Sequence, residues 1–185
     1  MYGENFGLKK DIKEIFINNL KQLDKSIETI SLYENEVNEN EENFYNLIYS
    51  GSLFSNKKII IINEATDKIM KKMNDIYEKY PENTFLIFLA DILEKKSKLR
   101  HFFETNKKTI CIPCYLDTER DLQFIARTEL NKIKINSSTE IINLLVEKSN
   151  GDRNNLKNEI EKIKSFSLNK EKIDIDDLKV LINFS

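Results

Sequence analysis

At 185 residues the chain can hold one ordinary domain with a small helical one beside it, or a single larger core. Apolar residues make up 40% and charged residues 32%, and no apolar run approaches the roughly 20 residues that cross a bilayer, which excludes a helical membrane protein. The net charge is −2 with lysines dispersed among asparagines and glutamates, so the sequence carries no electrostatic footprint for strong DNA binding by this chain alone.

The first residues lack a basic segment followed by an apolar stretch and a cleavage site, so a cytoplasmic location is expected. Met1 and Tyr2 read as the end of a strand before Gly3. Residues 9–23 then read as a helix with Ile12, Ile15, Phe16 and Leu20 on one face, and residues 27–33 as a short strand. The polar run Asn35-Glu36-Val37-Asn38-Glu39-Asn40-Glu41-Glu42 reads as a solvated loop leading into a helix. In Ser50-Gly51-Ser52-Leu53-Phe54-Ser55-Asn56-Lys57, two large apolar residues are embedded in small and polar ones. Two readings of Leu53 and Phe54 stand on the residues alone: they anchor a loop onto the sheet, or they are presented to a partner's pocket.

Lys58-Ile59-Ile60-Ile61-Ile62 and Phe85-Leu86-Ile87-Phe88-Leu89 are continuous apolar runs, which suit strands covered on both faces. Between them, residues 66–80 carry Ile69, Met70, Met73, Ile76 and Tyr77 at helical spacing up to Pro81, giving a β-α-β unit with parallel strands and a right-handed crossover. The pattern repeats with a helix over 97–104, bearing Leu99, Phe102 and Phe103, and a strand over 109–112. From Asp117 the period is helical only. Asp117 is placed to cap a helix with Leu122, Ile125, Ala126 and Leu130. Ser137-Ser138-Thr139-Glu140 has capping-box spacing ahead of Ile141, Ile142, Leu144 and Leu145, and Gly151 can close that helix. Asp152 starts a helix with Leu156, Ile160 and Ile163, and a last helix from Asp174 carries Leu178, Leu181 and Ile182. A domain boundary is expected over 113–116.

A parallel α/β layer that opens with Gly3-Glu4-Asn5-Phe6-Gly7-Leu8-Lys9-Lys10 and leads into a helical bundle suggests an AAA-type, P-loop NTPase-like domain with its lid. A working phosphate loop needs G-x-x-x-x-G-K-[ST], in which backbone N–H groups wrap the phosphates, the lysine meets them and the hydroxyl holds Mg²⁺. Here Gly3 and Gly7 are one residue too close, Leu8 stands where the lysine belongs, and no Ser or Thr follows, so the site is degenerate and no cofactor is expected. Glu64 and Asp91, each just past an apolar run, are candidate metal ligands, with a turn or capping role the simpler reading. Cys111-Ile112-Pro113-Cys114 is one ligand short of a zinc site even with His101, and it closes a strand instead of opening a helix; the pair reads as inert. A single histidine and no nucleophile motif leave no catalytic constellation.

Four segments in order resemble the delta subunit family of bacterial DNA polymerase III. They are Ser52-Leu53-Phe54-Ser55-Asn56-Lys57-Lys58-Ile59-Ile60-Ile61; Leu93-Glu94-Lys95-Lys96-Ser97-Lys98-Leu99; Leu116-Asp117 through Phe124-Ile125; and Asn150-Gly151-Asp152-Arg153-Asn154-Asn155-Leu156 through Glu159-Ile160-Glu161-Lys162. The resemblance implies an AAA-like α/β domain over 1–115 and a small all-helical lid over 116–185, with the family's third, collar domain absent. It implies a subunit that is not itself an enzyme and hydrolyses no ATP, within a polymerase holoenzyme. The ATP-sensing arginine of active relatives would fall near Asn154. Leu53 and Phe54 are then the plug that enters a pocket of the sliding clamp, the beta subunit, whose ring the subunit opens for loading. Further implied partners are delta-prime, the gamma/tau subunits and, through the complex, primed DNA. The alternatives are a delta-prime-like degenerate subunit and an atypical nucleotide hydrolase.

Overall fold

The computed structural model describes residues 1–51, 57–135, 137–168 and 175–183. The chain divides into two compact units, Met1–Cys114 and Tyr115–Ser185.

The first unit is built on a parallel sheet of β1 (Glu28–Tyr33), β2 (Lys58–Asn63) and β3 (Thr84–Phe88), in that spatial order. The register runs Glu28↔Lys58↔Thr84 at one end to Leu32↔Ile62↔Phe88 near the other, so all three strands share their N-terminal and C-terminal edges. The isoleucine run forms the middle strand because both its faces can be buried. Ile60 and Ile62 enter a core with Phe44, Ile48, Met73 and Leu99, whereas Ile59 and Ile61 pack with Ile27 and Ile87 on the opposite face. At about 1.5–3 kcal/mol for each fully buried side chain, these four residues are a large part of what holds the sheet. Helices α3 (Glu41–Tyr49), α4 (Met70–Tyr77) and α5 (Lys98–Thr105) supply the first core; Ile17 and Leu20 of α1 (Phe6–Leu23) pack on the second.

Beyond β3, Tyr2 bridges in parallel to Ala90 on one side and to Pro113 on the other. The start of the chain is thereby held between the extension of β3 and the segment at 112–114: Ala90 N donates to Met1 O at 2.9 Å, Tyr2 N to Ile112 O at 3.1 Å, and Cys114 N to Tyr2 O at 2.7 Å.

Several expectations need correction. The strand expected over 109–112 is not a regular strand; its pairing is the single bridge at Pro113, because Tyr2 is followed at once by Gly3, whose φ of +124° ends the ladder. The polar loop expected over 35–42 contains helix α2 (Glu34–Glu39), secured by burial of Val37 and by Glu34, whose carboxylate accepts from Thr66 N at 2.8 Å and Thr66 Oγ1 at 2.7 Å. Helix α1 starts three residues earlier than residue 9, with Asn5 as its cap. Ile15 faces solvent, because the sheet takes the neighbouring stripe of Ile17, Leu20 and Phe16, the last edge-on to Phe85. The helix expected over 66–80 is a 3₁₀ turn at Asp67–Ile69 followed by α4.

The second unit consists of α6 (Glu119–Lys132), α7 (Thr139–Lys148), α8 (Arg153–Ser167) and α9 (Ile175–Asn183) around Leu122, Leu130, Ile141, Leu145, Leu156, Ile160, Leu178 and Ile182. Asn150 and Gly151 close α7 with φ of 51° and 77°, and Asp152 caps α8 by accepting from Asn155 N. Two caps differ from expectation by one residue. Thr118, in a reciprocal box with Asp121, caps α6 in place of Asp117; Ser138 alone caps α7, so Ser137 and Glu140 form no box.

Candidate functional site

The C-terminal edge of the sheet carries the segment expected to resemble a phosphate loop. The bridged Met1–Tyr2 segment ends there between the extension of β3 and residues 112–114, the kind of position where open α/β sheets bind ligands. Gly3 turns the chain so tightly against Cys114 that a Cβ on it would come within 2.3 Å of Cys114 O, which with its positive φ demands glycine. Asn5 then starts α1, and its side-chain oxygen accepts from Leu8 N at 2.9 Å, occupying one of the amides that an anion would need.

Lys9, one position after Leu8, is turned inward and nearly fully buried. Its Nζ donates to Ala90 O at 2.8 Å, lies 3.4 Å from Asp91 Oδ1 and sits 4.2 Å from the centre of the Phe6 ring. A buried ammonium needs such partners, and these bind it to the protein itself. Asp91 is thus an ion-pair partner of Lys9. Glu64 is an exposed turn residue at φ 55°. Sequence reasoning missed Lys9; the only signal was the Lys9-Lys10 pair immediately after Leu8.

Leu53 and Phe54 lie outside the described residues. Their flanks are placed at the opposite, N-terminal edge of the sheet, where β2 begins. Lys58 N donates to Asn83 O at 3.0 Å, and the buried Lys58 Nζ donates to Ser50 O, clasping the two ends of the 51–57 segment. Burial pushes the Lys58 ammonium below its ordinary pKa, with the nearby Glu28 carboxylate opposing that shift.

The other candidates fall into place individually. Cys114 is fully buried and Cys111 half-buried, neither is in a disulfide, and burial pushes the Cys111 thiol up. His101 is exposed on α5. No group of three His, Cys, Asp or Glu residues able to hold a metal occurs among the described residues. A cavity of about 470 Å³ beside β3 is walled mainly by apolar side chains such as Ile12, Phe16, Phe85, Phe103 and Ile112; of its charged residues, Arg100 is engaged by Glu104 at 2.8 Å. No helix among the described residues is long and apolar enough to cross a membrane.

In the second unit, Asn154 is preceded by an arginine with a defined partner. Arg153 Nε donates to Asp117 Oδ2 at 2.8 Å and its Nη2 to Asp117 Oδ1, with the two side chains only 13% and 5% exposed. This fork-to-carboxylate pair joins the start of α8 to the segment before α6, and it explains why Asp117 is not the cap.

Comparison with known proteins bears on these features. A model of the family described as DNA polymerase III, delta subunit, matches residues 1–115. A curated relative, the probable DNA polymerase III subunit delta of Rickettsia prowazekii (strain Madrid E), is 26% identical over 167 residues, covering 90% of this chain and 50% of its own length. The chain therefore spans about half of that relative. Among solved structures, the Bacillus subtilis DNA clamp loader delta protein aligns with a TM-score of 0.58 and 16% identity over 97% of this chain and 56% of its own. The Thermotoga maritima RuvB Holliday junction branch migration motor aligns with a TM-score of 0.58 and 13% identity over 98% of this chain and 60% of its own. Domain III of the Thermotoga maritima replication initiation protein DnaA gives 0.57 and 13% over 98% and 82%. At these identities the structural matches establish the fold, an AAA-like parallel α/β architecture.

Proposed function

Because the chain belongs to the DNA polymerase III delta subunit family, we propose that it binds the sliding clamp through Leu53 and Phe54 and opens the ring for loading onto primed DNA. In this reading it is a subunit without catalytic activity of its own, working beside delta-prime and the gamma/tau subunits. The observation that carries the reading is the family match over 1–115, a span that includes the Leu53-Phe54 pair.

The arrangement at the C-terminal edge supports a degenerate nucleotide site. The amide of Leu8 is already taken by Asn5, and the buried cation at Lys9 is spent on Ala90 O and Asp91. A phosphate arriving there would meet neither a free lysine nor a magnesium-binding hydroxyl. The unit Tyr115–Ser185 serves as the lid, and its Arg153 is committed to Asp117 instead of a nucleotide. The described residues on either side of the Leu53-Phe54 segment and the degenerate cradle lie at opposite edges of the sheet, so in this reading clamp binding proceeds without nucleotide on this chain. A pull-down of the same organism's sliding clamp by the purified chain, with and without ATP, tests this directly: equal capture in both is expected. Failure to capture the clamp, or capture only with ATP, contradicts it.

A further inference from the structure

The run Lys95-Lys96-Ser97-Lys98-Leu99-Arg100-His101 holds five basic side chains in seven residues and no acid, the densest cationic stretch in a chain of net charge −2. In the fold this run is split. Arg100 turns inward, with Nε on Glu104 at 2.8 Å, Nη1 on Leu93 O at 3.2 Å and its guanidinium 4.9 Å from the centre of the Tyr2 ring. Lys95, Lys96, Lys98 and His101 turn the other way and line an open groove of about 500 Å³, with Met70 and Phe102 contributing its apolar part.

The nearby carboxylates leave that groove cationic. Asp67 accepts from Ser97 Oγ at 2.7 Å, Lys98 N at 3.1 Å and Leu99 N at 2.9 Å, so it holds the turn that presents the lysines and occupies the backbone donors of α5. Glu94 pairs with Lys96 at 2.9 Å where both side chains are at least two-thirds exposed, a contact in high dielectric that an incoming anion can replace at little cost. Among the described residues no carboxylate lies within ion-pair distance of Lys95 or Lys98.

From this geometry we infer that the Lys95, Lys96, Lys98 and His101 groove is a contact for the phosphodiester backbone of a DNA strand. Three considerations favour nucleic acid over an acidic peptide. The side chains facing the groove are lysines, compact point charges suited to phosphate. The one guanidinium in the run is held away from the groove by Glu104 and Leu93 O. Lys98 and His101 stand one helical turn apart on the same side of α5, so an ammonium and an imidazole can follow a strand. Phe102 and Met70 give a base or sugar an apolar surface between the charges. The inference rests on the clamp-loader reading for its choice of DNA as the natural partner, and it adds a direct contact made by this chain. The dispersal of lysines along the sequence hid it, since only folding separates Arg100 from its neighbours.

The test uses the whole chain, a fluorescein-labelled single-stranded 20-mer and anisotropy over a range of salt. Non-specific binding with a dissociation constant of about 10⁻⁴–10⁻⁶ M is expected in low salt. The triple variant Lys95→Gln/Lys96→Gln/Lys98→Gln should weaken it at least about tenfold and lower the log–log salt slope by about 2–3, as three lost phosphate contacts require. The triple variant Lys10→Gln/Lys25→Gln/Lys79→Gln, which changes net charge equally at exposed lysines outside the groove, should change affinity less than about twofold. Equal losses in both triples, no binding by the parent chain, or polyglutamate competing as well as the oligonucleotide would each overturn the inference. Clamp capture by the parent chain separates the two ideas: capture without DNA binding leaves the clamp-loader reading standing alone, and DNA binding through the groove without capture leaves only the groove.

Discussion

Replacing Arg153 by alanine should come close to unfolding the second unit while leaving the first intact. The guanidinium holds Asp117 with two hydrogen bonds, and the two side chains are 13% and 5% exposed. Breaking a buried pair by removing one partner costs about 3–5 kcal/mol. A unit running from Tyr115 to Ser185 has a total stability of only about 4–10 kcal/mol at typical values per residue. Each kcal/mol moves the midpoint of a domain of this size by about 4–8 °C, so a fall of at least 12 °C is expected. Urea unfolding followed by circular dichroism gives the free energy, and amide exchange in α7 against that in β2 assigns it to the second unit. The double variant Arg153→Met/Asp117→Leu removes both charges and should recover most of the loss. A loss below about 1 kcal/mol in Arg153→Ala, or a double variant as damaged as the single, would refute the reasoning.

Gly3→Ala should destabilise the first unit by several kcal/mol, since its Cβ would lie 2.3 Å from Cys114 O at a φ of +124°. Gly151→Ala, with φ +77° and open space around the added Cβ, should cost only about 1 kcal/mol, and thermal midpoints of the two variants make the comparison. The Asp67 carboxyl is held below the usual carboxylate range by hydrogen bonds from Leu99 N and Ser97 Oγ. Its contribution is therefore present above the unfolded pKa and lost as pH falls through the lower folded value; Asp67→Asn should flatten that acid limb in midpoints measured from pH 6 to 2. Burial is the leading cause that pushes the phenols of Tyr45 and Tyr80 up to about 12, so an alkaline absorbance titration should show a late class of tyrosines and a stability that declines as pH climbs from 10 to 12.

What could be read from sequence was whatever depended on burial of a periodic apolar pattern. Ile59 to Ile62 announce a doubly covered strand, and Leu122, Ala126 and Leu130 announce one face of α6, because these residues have a single environment open to them. Elements secured by tertiary hydrogen bonds were not legible. Helix α2 has Val37 as its only apolar residue and depends on Glu34 reaching Thr66, a partner 32 residues away. Asp117 stands beside Thr118, and choosing the cap required knowing that Arg153, 36 residues on, would take the carboxylate. At the degenerate cradle the sequence showed that Leu8 replaces a lysine; it gave no sign that Lys9 would fold inward onto Ala90 and Asp91. The Leu53-Phe54 pair was conspicuous as two large side chains among small polar ones, and its proposed role rests on family membership, as the pair itself lies outside the described residues.

The clamp affinity of Leu53→Ala/Phe54→Ala beside the parent chain, measured by surface plasmon resonance on the same organism's immobilised sliding clamp with thermal midpoints in parallel, tests the proposed function most directly. Each side chain withdrawn from water into a pocket contributes about 1.5–3 kcal/mol, so the variant should bind about two to four orders of magnitude more weakly with its midpoint unchanged. Unchanged affinity, or a midpoint collapse large enough to explain the lost binding through a cavity left beneath the loop, would contradict it.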